Sequence, residues 1–332
     1  MTARAGIRPR LVVGASVTLA LAAVATAAAL TLGAAFGAGG WGGSGNRSGS
    51  DRAPGHPGAD TVDIREVGDS GSEGATDTPT ASGDVPPVPG PLDDHELAAL
   101  PEARYDAVIA GLMATSGAEP LPDRRHTIDG TIALYGTDRA TPVATLPALN
   151  FLGEPTVVVP LETEGGWARI LTPARQALPS ENGGTAPAQT SAWIDSSTLD
   201  PATGSASQSL EHAITVSVSE QTLTITTAGR VTESFTVGVG TPETPTPTGV
   251  TGYLQARYLD PAQNQSVHPV QLTSLHAADD DEPFGGSDGG LIGLHYAESA
   301  SGAVSHGCIR LSAEAIAAVT ALPLGTPITM EE

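Results

Sequence analysis

The sequence predicts a mainly β protein: two small β-rich domains behind an apolar N-terminal segment and a disordered linker. Three observations predict it. Short runs of β-branched and aromatic residues recur between Gly-, Pro- and Asn-rich turns from Arg124 onward. Helical patterning in the folded part is confined to two short stretches. Gly and Pro are abundant, 40 and 27 of 332 residues, and crowd the region before the first β run.

Residues 1–36 carry Arg4, Arg8 and Arg10 and no acid, and Leu11 to Phe36 is uncharged over 26 residues. That run is long enough to cross a hydrocarbon core of roughly 30 Å as a helix. Its basic flank comes first, which predicts a cytoplasmic N terminus and export of the rest. Ala34, Ala35 and Ala38 also allow cleavage as a signal peptide, which would release a secreted protein. The run is long for a signal peptide, so a membrane anchor is the favoured reading and the expected location is extracytoplasmic.

Residues 37–92 hold 21 Gly or Pro among 56, and no aromatic residue occurs between Gly42 and Arg104. Such a stretch buries too little apolar surface to offset its ordering entropy and is expected to be a disordered tether. A flexible chain of this length has an end-to-end distance of about 40 Å. Residues 93–119 read as a helical segment. Asp94 can cap it, Pro101 suits a first turn, and Tyr105, Val108, Ile109 and Leu112 share a face, which assigns them to packing.

Residues 120–200 predict a small β-barrel with strands near 131–135, 155–159, 167–171 and 191–194. The "G-x-x-x-L-Y" opening, the strand bearing Trp167 and the closing strand bearing Trp193 resemble bacterial SH3-like domains. The two indoles are expected in its core, with a surface platform for a cell-wall ligand as the alternative.

Residues 211–331 form the second β-rich domain. Ile214, Val216 and Val218 alternate, as do Leu223 with Ile225 and Phe235 with Val237 and Val239. Prolines make Thr241–Gly249 an extended loop. A helix capped by Ser312 and ended by Pro323 follows, then a strand near Thr326–Met330.

The charge balance excludes some functions. The net charge is −22 and every one of the 15 basic residues is Arg. An acidic surface of this kind repels phosphate backbones, so no nucleic-acid partner is expected. One cysteine, Cys308, excludes disulfide frameworks and Cys-rich metal centres. A lone exported thiol is either an apolar filler or a nucleophile. Its neighbours favour the nucleophile: His295, His306, Gly307 and Arg310 all lie within sixteen residues of sequence that end just beyond it. A histidine can take the thiol proton, a glycine allows a turn that brings N–H groups to a reacting carbonyl, and an arginine can pair with a carboxylate. Zinc held by His295, His306 and Cys308, with oxygens from Asp279–Glu282, matches no common ligand spacing, and neither metal nor cofactor is expected.

Ser305-His-Gly-Cys-Ile-Arg-Leu311 resembles the signature of the L,D-transpeptidase (YkuD-like) catalytic domains. Thr244–Gly249, Ile292–His295 and Leu324–Ile328 resemble three further motifs of that family, in the same order. The resemblance implies a β-sandwich with a short helix after the cysteine, and acyl transfer on peptidoglycan stem peptides. By that resemblance Cys308 is the nucleophile and His295 its proton acceptor and donor, with His306 also assigned to the catalytic set. Ser305 and Gly307 shape the site, with N–H groups near Gly307 and Cys308 as the oxyanion hole, and Arg310 and Tyr296 are candidates for contacting substrate. The implied reaction releases D-alanine from a tetrapeptide and forms a 3→3 cross-link. Hydrolysis by water, giving an L,D-carboxypeptidase, and a non-catalytic cell-wall binding protein are the alternatives. A thiol redox role lacks a resolving cysteine. Two departures stand out: Tyr296 replaces the glycine that usually follows the first histidine, and the stretch from His295 to Ser305 is about three residues short.

Overall fold

The computed structural model describes residues 85–332 except 116, 118, 286 and 287. The expected membrane segment (1–36) and most of the expected linker (37–92) lie outside the described residues. No helix among the described residues is long and apolar enough to cross a membrane.

The first β domain contains nine strands: β1 (Met113–Ala114), β2 (Arg124–Thr127), β3 (Ile132–Tyr135), β4 (Pro142–Leu146), β5 (Val157–Val158), β6 (Pro160–Glu164), β7 (Trp167–Thr172), β8 (Thr190–Asp195) and β9 (Ala206–Ser209). Six of them form one sheet, β4-β3-β8-β7-β6 with β1 on β8, and β5-β2-β9 form a second. Leu134, Ala144, Ala168, Ile170, Ala192 and Ile194 fill the core.

The second domain holds β10 (His212–Ser217), β11 (Thr222–Thr227), β12 (Arg230–Thr236), β13 (Gly238–Gly240), β14 (Val250–Asp260), β15 (Gln265–His276), β16 (Leu291–Tyr296), β17 (Gly302–Ser305), β18 (Ile309–Leu311) and β19 (Pro327–Glu331). All ten join one sheet in the order β12-β11-β10-β19-β14-β15-β16-β18-β13-β17. The alternation seen in sequence sets the register: Ile214 faces Ile225 and Val216 faces Leu223, all four buried. Between β11 and β12, Ala228 (φ 48°) and Gly229 (φ 73°) supply the two left-handed residues of a tight hairpin turn. After the cysteine comes the expected helix, Ala313–Ala321, with the Ser312 hydroxyl accepting from the Ala315 N–H at 3.2 Å. Its Ala315, Ile316 and Val319 share the buried core of this domain with Leu254, Ile292, Leu294 and Ile309.

Two expectations are corrected. The helix over 93–119 exists only at Asp94–Ala98, capped by Asp93 rather than Asp94. Proline at 101 disfavours helical backbone at Leu100. Beyond it the chain pairs with the first β domain instead: the Ala103 N–H donates to Thr145 O and the Ile109 N–H to Arg175 O. The last part of the expected disordered linker, residues 85–92, is ordered, with Val85 and Val88 against Tyr135, Trp167 and Trp193. Those two valines supply the apolar contact that the composition of the stretch as a whole lacks.

The two domains share a buried seam. Val157, Val159 and Leu171 of the first pack with Tyr253 of the second. The buried Ser274 hydroxyl donates to Gln189 Oε1 at 2.6 Å.

Candidate active site

The parallel pairing of β16 with β18 places the chemistry. Leu294 faces Ile309 and His295 faces Arg310. One step back, the same register sets Gly293 opposite Cys308, and the Gly293 N–H donates to Cys308 Sγ at 3.4 Å. Strand side chains alternate between faces, so Gly293 and His295 share one face with Cys308 and Arg310. His295 and Cys308 are therefore diagonal neighbours, with Cα atoms roughly 8 Å apart from the usual strand spacing and rise. All four line a cavity of about 460 Å³.

Cys308 is half-buried, and burial pushes its thiol up, opposed by the Gly293 N–H. A resting thiol rather than a thiolate follows, and such a thiol becomes a nucleophile only with a base beside it. His295 fits that role. Its Nδ1 lies 3.1 Å from Tyr296 O, and a carbonyl only accepts, so Nδ1 carries the proton and Nε2 is left free to take one. Burial also lowers the His295 pKa, with Arg310 adding to the effect. The imidazole is neutral at pH 7.

The turn before Cys308 is held from both sides. Ser305 is buried, and its hydroxyl donates to Cys308 O at 2.5 Å and accepts from the Gly307 N–H at 3.2 Å. Gly307 has φ +107°, and a Cβ there would stand 3.1 Å from Ile292 Cδ1, so the position requires glycine. From the Thr241–Gly249 loop, Thr246 Oγ1 donates to Gly307 O at 2.7 Å and accepts from the Gly240 N–H at 2.9 Å.

Three assignments change. The Gly307 N–H, expected among the oxyanion donors, is engaged by Ser305. His306 is exposed at the cavity mouth, edge-on to Phe284 with ring centroids 6.0 Å apart, and has no hydrogen bond to Cys308. Tyr296 is not part of the cavity lining: the next residue after His295 on a strand points to the other face, where its ring lies 4.7 Å from that of His268. Arg310 stays on the cavity wall and forms no ion pair among the described residues, and its Nε is buried without a partner.

Sequence reasoning missed the opposite wall. Tyr105, Phe151 and Leu152, all outside the β10–β19 domain, line the cavity, with the Tyr105 and Phe151 rings 4.7 Å apart. Tyr105 had been assigned to packing alone, because the helical pattern gave no sign of a partner across the seam. Also missed was Arg175, buried in the first domain. Its guanidinium donates to Ala277, Asp280, Asp281 and Gly289 carbonyls at 2.7–3.1 Å and so gathers the loop that carries Phe284 and Asp288. Three of the four acids of the run in that loop, Asp280, Asp281 and Glu282, accept hydrogen bonds. Asp281 accepts from Ser180, and Glu282 from the N–H groups of Asp288, Gly289 and Gly290. Among the described residues no cluster of three His, Cys, Asp or Glu is placed to hold a metal.

Residues 211–330 match the model of the YkuD family, described as the L,D-transpeptidase catalytic domain. No curated protein matches the chain by sequence. Among solved structures, an L,D-transpeptidase from Mycobacterium smegmatis is 15% identical, covering 50% of this chain and 91% of that one, with a TM-score of 0.29. L,D-transpeptidase 1 of Mycobacterium tuberculosis is 22% identical over 43% of this chain and 78% of its own, TM-score 0.27. A mutant of the Enterococcus faecium L,D-transpeptidase is 18% identical over 36% of this chain, TM-score 0.25, and only 49% of its length is spanned. Scores of this size carry no functional argument.

Proposed function

We propose that the chain is an extracytoplasmic peptidoglycan L,D-transpeptidase, tethered through residues 1–36, with residues 120–200 an SH3-like module. The single observation that supports this reading is the pairing of a raised Cys308 thiol with a neutral His295 whose Nδ1 proton is tied to Tyr296 O, on the one wall of the cavity they share. In the first step His295 Nε2 takes the thiol proton as Sγ attacks the carbonyl that precedes the terminal D-alanine of a tetrapeptide stem. The Cys308 N–H is a backbone donor of the turn for the oxyanion. The C–N bond breaks, His295 returns its proton to the leaving amine, and D-alanine departs. In the second step a side-chain amine of another stem attacks the thioester, loses a proton to His295, and releases the thiol with a 3→3 cross-link formed. Arg310, with no carboxylate partner among the described residues, suits the carboxylate of a stem.

The test is intact-mass spectrometry of the full chain with disaccharide-tetrapeptide, with muropeptides analysed from the same sample. An adduct absent from Cys308→Ala, together with dimers lacking one D-alanine, is expected. Monomeric tripeptide instead identifies an L,D-carboxypeptidase, and no adduct on folded protein identifies a wall-binding protein.

A further inference from the structure

Away from the cavity, the first β domain presents an aromatic face: Tyr135 on β3, Trp167 on β7 and Trp193 on β8. The Tyr135 and Trp167 rings meet edge to face at 5.1 Å. Arg139 stacks 3.6 Å over Trp193 and is itself held by Glu164 at 2.8 Å, so the indole is fixed in place. Lying on this face is Val85-Pro-Pro-Val-Pro-Gly-Pro-Leu92, which takes part in no strand.

The contact is specific. Trp167 Nε1–H donates to Pro86 O at 2.7 Å. At the β6–β7 turn, Gly165 and Gly166 leave bare backbone under the valines: a Cβ at Gly165 would lie 2.8 Å from Val85 Cγ1, and one at Gly166 3.3 Å from Val88 Cγ2. Pro86 and Pro89 stand three apart, the repeat of an extended proline-rich helix. Proline fixes its own φ and has no N–H to satisfy, so such a segment docks with little ordering cost. Its carbonyls remain free, and an indole N–H is the donor that aromatic grooves offer them.

We propose that the Tyr135–Trp167–Trp193 face is a binding site for proline-rich extended peptide, occupied in cis by residues 85–92. The tether then ends at the aromatic face, not at the helix that begins at Asp94. A short linkage sets an effective concentration in the millimolar range, so a trans Kd of about 100 µM keeps the cis segment bound in about nine molecules of ten. The same face is open to a proline-rich segment in trans, including that of a second copy, only when residues 85–92 leave.

The experiment uses the full chain with Val85–Pro91 replaced by a seven-residue Gly/Ser sequence, and a synthetic peptide of sequence VPPVPGPL. Expected is saturable binding seen by tryptophan fluorescence, at least fivefold weaker when Trp167→Phe removes the indole donor, with about tenfold weaker binding to the unaltered chain. No saturable binding by a variant that keeps its melting transition overturns the proposal, as does a preference for glycan fragments over the peptide. Should the variant not fold, the unaltered chain serves: a spin-labelled peptide at millimolar concentration is expected to broaden the Trp167 indole N–H resonance, and no broadening overturns the proposal.

Discussion

Gly293 faces Cys308 across a parallel strand pair, and its N–H reaches the sulfur at 3.4 Å. This donor favours the thiolate, yet burial wins and the thiol lies above its ordinary value. Alkylation of Cys308 by iodoacetamide is therefore expected to rise with a midpoint above pH 9. His295→Ala is expected to leave that midpoint nearly unchanged while lowering turnover by about 10²–10⁴-fold, the usual range for a lost general base. A thiolate already present at pH 6 would falsify the resting-thiol arrangement.

The pH–rate profile follows from the same pair. Burial holds the His295 pKa below 6.5, so its neutral form persists to lower pH than that of a free imidazole. Only the neutral ring accepts the thiol proton. The acid limb of kcat/KM is expected to fall through a pKa below 6.5, and a limb at 7 or above contradicts it.

Arg175 gives the first β domain a hold on the cavity that Cys308 lines. Four loop carbonyls share one buried guanidinium, and burial lowers its pKa, opposed by the nearby charges of Asp281, Glu282, Asp280 and Asp288. Arg175→Met leaves those carbonyls short of donors, that of buried Ala277 above all. A loss of about 3 kcal/mol is expected, lowering the melting temperature by about 6–12 °C at this size. Because the loop carries Phe284 and Asp288, KM is expected to rise more than kcat falls. Arg175→Lys keeps the charge but spans fewer carbonyls and is expected to recover only part of the loss.

The turn that holds Cys308, the helix after it and the β10–β11 hairpin were legible because each is encoded locally. Ser305–Leu311 is one contiguous motif, Ser312 caps the helix that follows, and Ile214, Val216, Leu223 and Ile225 alternate over a short span. The long strands β14 and β15 carried no clear alternation, since Val250–Leu254 and Gln271–His276 are buried on both faces. The contacts of Tyr105 with His276 and of the Arg175 guanidinium with the 277–289 loop cross the seam at separations of more than a hundred residues, where periodicity has nothing to report. Tyr296 misled for a related reason: it adjoins His295 in sequence, and adjacency on a strand sends a side chain to the opposite face.

His276 gives that seam a pH dependence. It is 1% exposed, its Nε2–H donates to Tyr105 O at 2.8 Å, and burial pushes its pKa down to about 4. Unfolded, the ring titrates near 6.5, so between these values the unfolded chain binds the proton that the folded chain refuses. Stability from this group is present above pH 6.5 and is lost as pH falls towards 4. Urea unfolding is expected to show a fall of about 2–3 kcal/mol between pH 7 and pH 4.5 that His276→Gln lacks. The variant keeps a neutral donor for Tyr105 O, so the difference isolates the proton. An equal fall in both proteins would place the acid sensitivity in the carboxylates instead. Because Tyr105 also lines the cavity, the same variant is expected to retain more substrate affinity than the parent at pH 4.5.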